Sequence, residues 1–221
     1  MQQTQRYMAR TSANRSPGGE LRIIAGNWRS RKLRFPDVGG VRPTPARTRE
    51  TLFNWLAHQV PGSHCLDLFS GSGALGLEAL SRGAASATLV EHNQALANAL
   101  QHNLGLLGTG AAEVICRPVE RYLEQQASRP FDLVFMDPPF RQGWLEYLLP
   151  QLISGGWIAG GGWVYAEYES EKAAPVVPSD WQLYRKKTAG QVAYCVFQVD
   201  KENPAEAGSG ANQGQAMGRR E

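Results

Sequence analysis

The clearest candidates for chemistry in this chain are Asp137, Pro138, Pro139 and Phe140, which directly follow the apolar run at positions 133–136. A short apolar run that ends in a turn predicts a central parallel strand covered on both faces. Open α/β sheets bind their ligands beyond the carboxyl ends of such strands. Proline has a fixed φ and no N–H group, so the two prolines stop the segment from continuing the sheet or coiling into a helix. The sequence therefore predicts a rigid acidic turn at a ligand-binding edge.

A rigid Asp-Pro-Pro-Phe turn suits a flat ring that carries an exocyclic amine. The Asp137 carboxylate and the Pro138 carbonyl can each accept one hydrogen of that amine, and Phe140 offers a face for stacking. Such an amine is a poor nucleophile because its lone pair is delocalised into the ring. Two acceptors that draw its hydrogens out of the conjugated geometry would restore the lone pair and aim it at an electrophile. The alternative is a strand followed by an ordinary proline-rich turn.

A glycine-rich turn earlier in the chain predicts a second part of the site. The segment CLDLFSGSGALGLEAL reads as strand, turn and helix, with Gly71, Gly73 and Gly76 in the spacing G-x-G-x-x-G. Glycines let the backbone approach a ligand closely, and this spacing is shared by dinucleotide sites and sites for other nucleoside cofactors. Asp67, inside the strand before the turn, could bind a cationic amine. A dinucleotide would not provide that amine.

The next predicted strand, residues 87–90, ends in Glu91, about 20 residues after the glycines, where an acid can accept hydrogen bonds from a ribose diol. The alternative is a solvent-facing glutamate at a strand end. A third strand over 113–116 is followed by Arg117, Pro118 and Val119, and the topology suggests that a backbone amide there meets an adenine edge.

The remaining pattern predicts an α/β chain. Strands alternate with helices, which is typical of a parallel sheet. Thr44 is expected to cap a helix with Pro45 at its first position. The other expected elements are helices over 46–58, 93–107, 119–128 and 144–153, and strands over 64–69, 131–136, 162–167, 181–187 and 192–199.

Charge is distributed unevenly. Residues 1–50 carry a net charge of +8 and residues 51–221 a net charge of −5. A hairpin of strands 21–25 and 32–35, with Trp28 at its tip, interleaves arginines with an aromatic ring, which suits a nucleic-acid surface. The alternatives are a solvated tail and an ordinary charged hairpin. The cations expected to contact nucleic acid are Arg22, Arg29, Arg31, Lys32, Arg34, Arg42 and Arg47.

Composition favours a globular, cytoplasmic protein. The chain has 221 residues, of which 42% are hydrophobic, enough for one domain with a small appendage. It has no apolar run of the roughly 18 residues that span a bilayer, and its N-terminus lacks the apolar core of a signal peptide. Cys65, Cys116 and Cys195 are predicted to be buried reduced thiols, so neither a disulfide nor a metal site is expected.

Four sequence blocks carry a resemblance to a known family, and they cover roughly residues 21–200. The blocks are RIIAGNWRSRKL, RPTPARTRETLFNWL, LDLFSGSGALGLEALSRGA and KTAGQVAY. Together with Glu91 and the Asp137 turn, they resemble class I S-adenosylmethionine-dependent methyltransferases that act on exocyclic amines. More closely, the chain is similar to the RsmD family of bacterial 16S rRNA guanine-N2 methyltransferases.

The resemblance implies a Rossmann-like class I methyltransferase fold, with a seven-stranded, mostly parallel sheet whose last strand is antiparallel. A small N-terminal hairpin and helix are appended to it. On this basis we expect a disordered tail over 1–20, an RNA-binding appendage over 21–60, a methyltransferase domain over 61–200 and a second disordered tail over 201–221.

The resemblance also implies the reactants. S-adenosyl-L-methionine would be the methyl donor, and one guanine of 16S rRNA, of the position-966 type, would be the acceptor. The expected partner is 16S rRNA in the small ribosomal subunit or an assembly intermediate, with no metal, no membrane and a monomeric enzyme. The expected catalytic residues are Asp137, Pro138, Pro139 and Phe140. The expected cofactor-binding residues are Asp67, Phe69, Gly71, Gly73, Gly76, Glu91, Val119 and Asp137.

Other functions stay open from the residues alone. An adenine-N6 or glutamine-N5 methyltransferase would use the same type of acidic turn. A non-catalytic RNA-binding assembly factor could share the fold. A dinucleotide-dependent oxidoreductase shares the glycine turn and Glu91, but gives no reason for the Asp-Pro-Pro-Phe turn or for the basic N-terminal segment.

Overall fold

The computed structural model describes residues 18–39 and 41–201. The predicted disordered tails lie almost wholly outside these residues, although Gly19 and Glu20 belong to the first strand. The helices are α1 (Ala46–Trp55), α2 (Gly76–Ser81), α3 (Gln94–Leu107), α4 (Val119–Leu123) and α5 (Trp144–Ser154). The strands are β1 (Gly19–Arg22), β2 (Lys32–Phe35), β3 (His64–Asp67), β4 (Ser86–Glu91), β5 (Ala112–Cys116), β6 (Phe131–Met136), β7 (Ile158–Glu169), β8 (Trp181–Ala189) and β9 (Val192–Val199).

Seven strands form one sheet in the order β5-β4-β3-β6-β7-β9-β8. Neighbours from β5 to β7 pair in parallel, whereas β9 pairs antiparallel with both β7 and β8. The last strand is therefore antiparallel, as predicted, and it is inserted between its two predecessors. The strand order changes direction at the β3–β6 pair, which is where doubly wound sheets form their ligand crevice.

Hydrophobic layers cover both faces of this sheet. The strand β6 shows why its sequence is continuously apolar: Leu133 and Phe135 face one layer, Val134 and Met136 face the other, and all four are fully buried. The first layer includes α2, α3 and residues 21–60, which we call the N-terminal segment. The second layer includes α4 and α5. This arrangement confirms the predicted central strand and brings its carboxyl end to the crevice.

The N-terminal hairpin is present, but its connection is not a free tip. Strands β1 and β2 pair antiparallel, with Arg22 opposite Lys32. The connecting residues lie against α2, where the Asn27 amide donates to the Ser81 carbonyl at 2.7 Å and the Trp28 amide to the Ser81 hydroxyl at 3.0 Å. Trp28 is partly buried against the core. Trp28 therefore lies in the connection between the strands, as predicted, but tertiary packing uses part of its ring.

A buried carboxylate attaches the N-terminal segment to the domain. Glu78 in α2 is fully buried and accepts hydrogen bonds from the amides of Ile24 and Ala25 at 2.9 and 3.0 Å. It also pairs with Arg82 at 2.8 Å and with Arg49 at 3.3 Å. Arg49, in α1, is itself only 3% exposed. Burial lowers the pKa of the Arg49 guanidinium, while Glu78 raises it.

Several boundaries and exposures differ from the predictions. Helix α1 ends at Trp55 rather than residue 58, and α4 ends at Leu123 rather than residue 128. Cys65 and Cys195 are buried as expected, but Cys116, at the end of β5, is exposed. None of the helices in the described ranges is long and apolar enough to cross a membrane.

Replacing Arg49 tests the attachment of the N-terminal segment. We expect Arg49→Leu to reduce the free energy of unfolding by roughly 3–5 kcal/mol, because it removes one partner of a buried ion pair. The matched control is Arg121→Leu, whose pair with Glu124 is more than half exposed on both sides and should contribute less than about 1 kcal/mol. Urea denaturation followed by circular dichroism measures both values, and equal losses in the two variants would contradict the assignment.

Candidate active site

The acidic turn and the glycine turn meet at the carboxyl edge of the sheet. Strands β3 and β6 are parallel neighbours, with Asp67 in register with Phe135, so the segments after both strands leave the sheet side by side. Between them lies a cleft of about 710 Å³. The predicted site residues that line it are Asp67, Phe69, Gly71, Glu91, Val119, Asp137, Pro138, Pro139 and Phe140.

Asp67 is buried at the floor of the cleft and is 1% exposed. Its Oδ2 accepts a hydrogen bond from the Gly76 amide at 3.0 Å, whereas no residue of the described chain makes a well-formed hydrogen bond to Oδ1. Burial raises the pKa of Asp67 to about 7; the Gly76 amide opposes this shift, and the charge of Asp137 adds to it. A cationic ammonium group would satisfy the orphaned oxygen and stabilise the ionised carboxylate. Asp67 therefore fits the amino-acid end of S-adenosylmethionine.

Glu91 has a structural contact in addition to its predicted ligand role. Its Oε2 accepts from the Gly71 amide at 2.9 Å and its Oε1 from the Asn93 amide at 2.7 Å. Gly71 itself has a φ of +49°, a conformation that favours glycine. A carboxylate has about four lone-pair sites, so Glu91 can hold the glycine turn and still accept from a ribose diol.

Gly73 and Gly76 were predicted to contact the cofactor, but neither lines the cleft. A Cβ at Gly73 would lie 2.6 Å from a methyl carbon of Leu77, and one at Gly76 would lie 2.2 Å from a methyl carbon of Leu89. These two glycines are therefore required for close packing of α2 against the sheet and α3. Of the three glycines in the pattern, only Gly71 is placed to meet a ligand directly.

Aromatic and apolar side chains form the walls of the cleft. The ring of Phe69 packs edge-on against Trp144 with 5.8 Å between centroids, and both residues line the cleft. Val119 and Pro118, which follow β5 where the adenine of a nucleoside cofactor was expected, also line the cleft. Phe140 is 38% exposed, so part of its side chain is accessible to a ligand.

Asp137 is held by a residue of the N-terminal segment. The Thr44 hydroxyl donates a hydrogen bond to Asp137 Oδ2 at 2.9 Å. Burial raises the pKa of Asp137 to about 6, and this hydrogen bond lowers it. The prediction that Thr44 caps α1 was wrong: Pro45 occupies the cap position, and no side chain caps the helix. The partners are 93 residues apart, so no local signal in the sequence points to the contact.

Arg49 connects Thr44 to the buried Glu78. Its Nε donates to the Thr44 carbonyl at 3.1 Å, while its Nη1 contacts Glu78. Thr44 is therefore fixed from both its carbonyl and its hydroxyl. The N-terminal segment therefore forms part of the cleft wall, in addition to carrying a basic surface.

All seven cations predicted to contact nucleic acid are exposed. Arg42 lines the cleft beside Thr44, and Arg47 lies on the exposed side of α1. The others lie on β1, β2 and their connection, with Lys32 paired to Glu20 at 3.0 Å. Their contact with RNA stays a prediction.

Comparison with known proteins finds relatives of similar sequence and architecture. Residues 21–198 match the family described as Conserved hypothetical protein 95. The Escherichia coli K12 protein named Ribosomal RNA small subunit methyltransferase D is 48% identical over 88% of this chain and 98% of its own length. The Haemophilus influenzae protein of the same name is 43% identical over 81% and 94%. The solved structure of the Escherichia coli methyltransferase YhhF superposes with a TM-score of 0.78 at 48% identity, covering 83% of this chain and all of that one.

The sheet order and the carboxylate-lined cleft define the class of this protein as a class I, S-adenosylmethionine-dependent methyltransferase. Within that class, the chain belongs to the Conserved hypothetical protein 95 family. This confirms the family resemblance read from its four sequence blocks.

The Thr44 contact predicts a shift in pH dependence. If methyl transfer needs ionised Asp137, the rate falls as the pH drops through the pKa of this residue, which is about 6. Thr44→Val removes a donor that stabilises the ionised form, so the pKa rises and the acid limb should move to higher pH by roughly one pH unit. Thr44→Ser keeps the hydroxyl and should behave like the wild type. The measurement is the pH profile of kcat/KM for methyl transfer. Coincident acid limbs for both variants would refute the role of the Thr44 hydroxyl.

Proposed function

We propose that this enzyme methylates the exocyclic N2 amine of one guanine in 16S rRNA, of the position-966 type, with S-adenosylmethionine as donor. The observation that carries the proposal is the Asp137–Pro138 turn, which stands in the same cleft as Asp67, Gly71 and Glu91. The shared name of the relatives at 48% and 43% identity supports small-subunit rRNA as the substrate. The proposed partner is accordingly this RNA in the small ribosomal subunit or an assembly intermediate.

Different residues of the cleft would bind the methyl donor and the guanine. Asp67 would hold the ammonium group of the donor and Glu91 its ribose, next to Phe69, Gly71 and Val119. When bound, S-adenosylmethionine supplies an electrophilic methyl group on a sulfonium sulfur. Asp137 and the Pro138 carbonyl would each accept one hydrogen of the guanine amine, and Phe140 would stack on the ring. Most of the acceleration would come from positioning, which can contribute roughly 7–11 kcal/mol.

The N-terminal segment would position the RNA over this cleft. Arg42 of this segment lines the cleft, and its other predicted RNA contacts are exposed, so phosphate contacts on the hairpin would lead the strand towards Asp137. Phosphate contacts supply affinity without sequence readout, and the target base would be extruded into the cleft. We propose that residues 21–60 form the RNA-binding part and residues 61–200 the methyltransferase domain.

Asp137→Ala tests the catalytic assignment. We expect methyl transfer to become undetectable, because the amine loses its anionic acceptor, while the affinity for S-adenosylhomocysteine changes less than about threefold, since Asp67 and Glu91 remain. Mass-spectrometric mapping of modified guanines in 16S rRNA, from cells lacking the protein and re-expressing each form, gives the readout. Restoration of N2-methylguanosine by the variant would refute the role of Asp137. A wild-type protein that restores no such mark would refute the proposed function.

The basic hairpin makes a separate prediction for RNA binding. Replacing Arg29, Arg31 and Arg34 together by alanine should weaken binding and reduce the slope of log K against log salt by roughly 2–3, about 0.7–0.9 per lost phosphate contact. A charge-matched control replaces the exposed Arg121, Arg129 and Lys201, which lie outside the N-terminal segment. Titration at several salt concentrations measures both slopes. Equal slopes in the two triple variants would show that the hairpin does not contact the RNA.

A further inference from the structure

Glu167 lies beside the catalytic Asp137, although the sequence singled it out only as the end of a strand. In the parallel β6–β7 pair, Phe135 is in register with Tyr165 and Met136 with Ala166. The next residue on each strand is therefore Asp137 and Glu167. Side chains at matched positions of parallel strands share one face of the sheet, so the two carboxylates are neighbours at its carboxyl edge.

Each of these carboxylates has one oxygen held by a hydroxyl and one oxygen left over. The Tyr165 hydroxyl donates to Glu167 Oε1 at 2.6 Å, as the Thr44 hydroxyl donates to Asp137 Oδ2 at 2.9 Å. Within residues 18–39 and 41–201, no group donates to the second oxygen of either carboxylate, and no lysine or arginine pairs with Glu167. Glu167 lines a cavity of about 650 Å³ that adjoins the cleft and shares Pro138, Pro139 and Phe140 with it. Two acceptor atoms are thus available beside the acidic turn.

This arrangement is unfavourable without a ligand. Glu167 is only 3% exposed, and burial together with the charge of Asp137 raises its pKa well above the ordinary value. A buried carboxylate without a cation has to gain hydrogen-bond donors from elsewhere. Low exposure does not prevent ligand contact, since Asp67 on the cofactor side is 1% exposed.

The Watson–Crick edge of guanine presents such donors. It carries three N–H groups in a row, one on N1 and two on the N2 amine. Asp137 and the Pro138 carbonyl account for the two amine hydrogens in the proposed function. The remaining donor, N1–H, would then face the strand that neighbours Asp137.

We propose that Glu167 is the specificity-determining residue that accepts the N1–H of the target guanine. This inference rests on the proposed function and adds the recognition of the ring to the binding of its amine. In adenine the N1 atom is an acceptor, so an ionised Glu167 would face a lone pair and lose its donor. The site therefore selects guanine over bases that carry an amine beside an unprotonated ring nitrogen.

The test compares two bases at the target position of 16S rRNA. The substrates are small subunits reconstituted with this RNA, carrying either guanine or 2-aminopurine, which keeps the N2 amine but has an acceptor at N1. We expect the wild type to prefer guanine by roughly 10- to 100-fold in kcat/KM, the value of one charge-assisted hydrogen bond. In Glu167→Gln the guanine rate should fall, and the preference should drop to less than about threefold, because the amide can turn its NH2 towards the acceptor at N1.

A residue that acts only by positioning Asp137 would give a different result. Glu167→Gln would then slow both substrates by the same factor and leave their ratio unchanged, which would overturn the proposal. Glu113→Gln, a carboxylate on the exposed side of β5, serves as the matched control and should leave both rates unaltered. Calorimetric affinity for S-adenosylhomocysteine reports whether each variant is folded.

The wild type alone provides a second test if Glu167→Gln does not fold. Equal use of guanine and 2-aminopurine by the wild type would overturn the role of Glu167 while leaving N2 methylation intact. Failure of the wild type on both substrates would instead refute the proposed function. The two inferences therefore fail in distinguishable ways.

Discussion

The buried carboxylate of Glu78 is the contact on which the rest of the site depends. A carboxylate removed from water is stable only when its lone pairs are filled, and here two backbone amides and two arginines fill them. Because both amides and Arg49 belong to the N-terminal segment, satisfying Glu78 fixes that segment on the domain. Arg49 then holds the Thr44 carbonyl, and the Thr44 hydroxyl holds Asp137. One desolvated charge thereby helps to set the geometry of the acidic turn.

The carboxyl edge of the sheet concentrates negative charge in a small volume. Asp67 and Glu167 are buried there and Asp137 is half-buried, and the pKa of each is raised, with desolvation the largest cause. Such crowding destabilises the unliganded site and favours ligands that bring a cation or several N–H donors. An ammonium-bearing, sulfonium-type donor and an amine-bearing base both meet that condition. The electrostatics thus favour the same two reactants as the shapes of the turns.

Local sequence patterns predicted the structure best where the conformation of a residue depends mainly on its own segment. The four apolar residues of β6 and the prolines after it predicted a central strand and a rigid turn, and the structure confirms the strand residue for residue. Of the three glycines in the spacing pattern, only Gly71 lines the cleft. Gly73 is needed for packing against Leu77 in α2, and Gly76 for packing against Leu89 in β4. A spacing pattern cannot distinguish space kept for a ligand from space kept for a neighbouring side chain.

Backbone chemistry and hydrophobic periodicity, both properties of short segments, already specified the α/β class, the order of the elements and the acidic turn at the end of β6. The contacts that complete the site join residues far apart in the chain: Thr44 with Asp137 and Arg49 with Glu78. Each depends on which strands become neighbours and on the register between them. Those features are settled when the whole core packs and its buried polar groups find partners, so no single segment contains them.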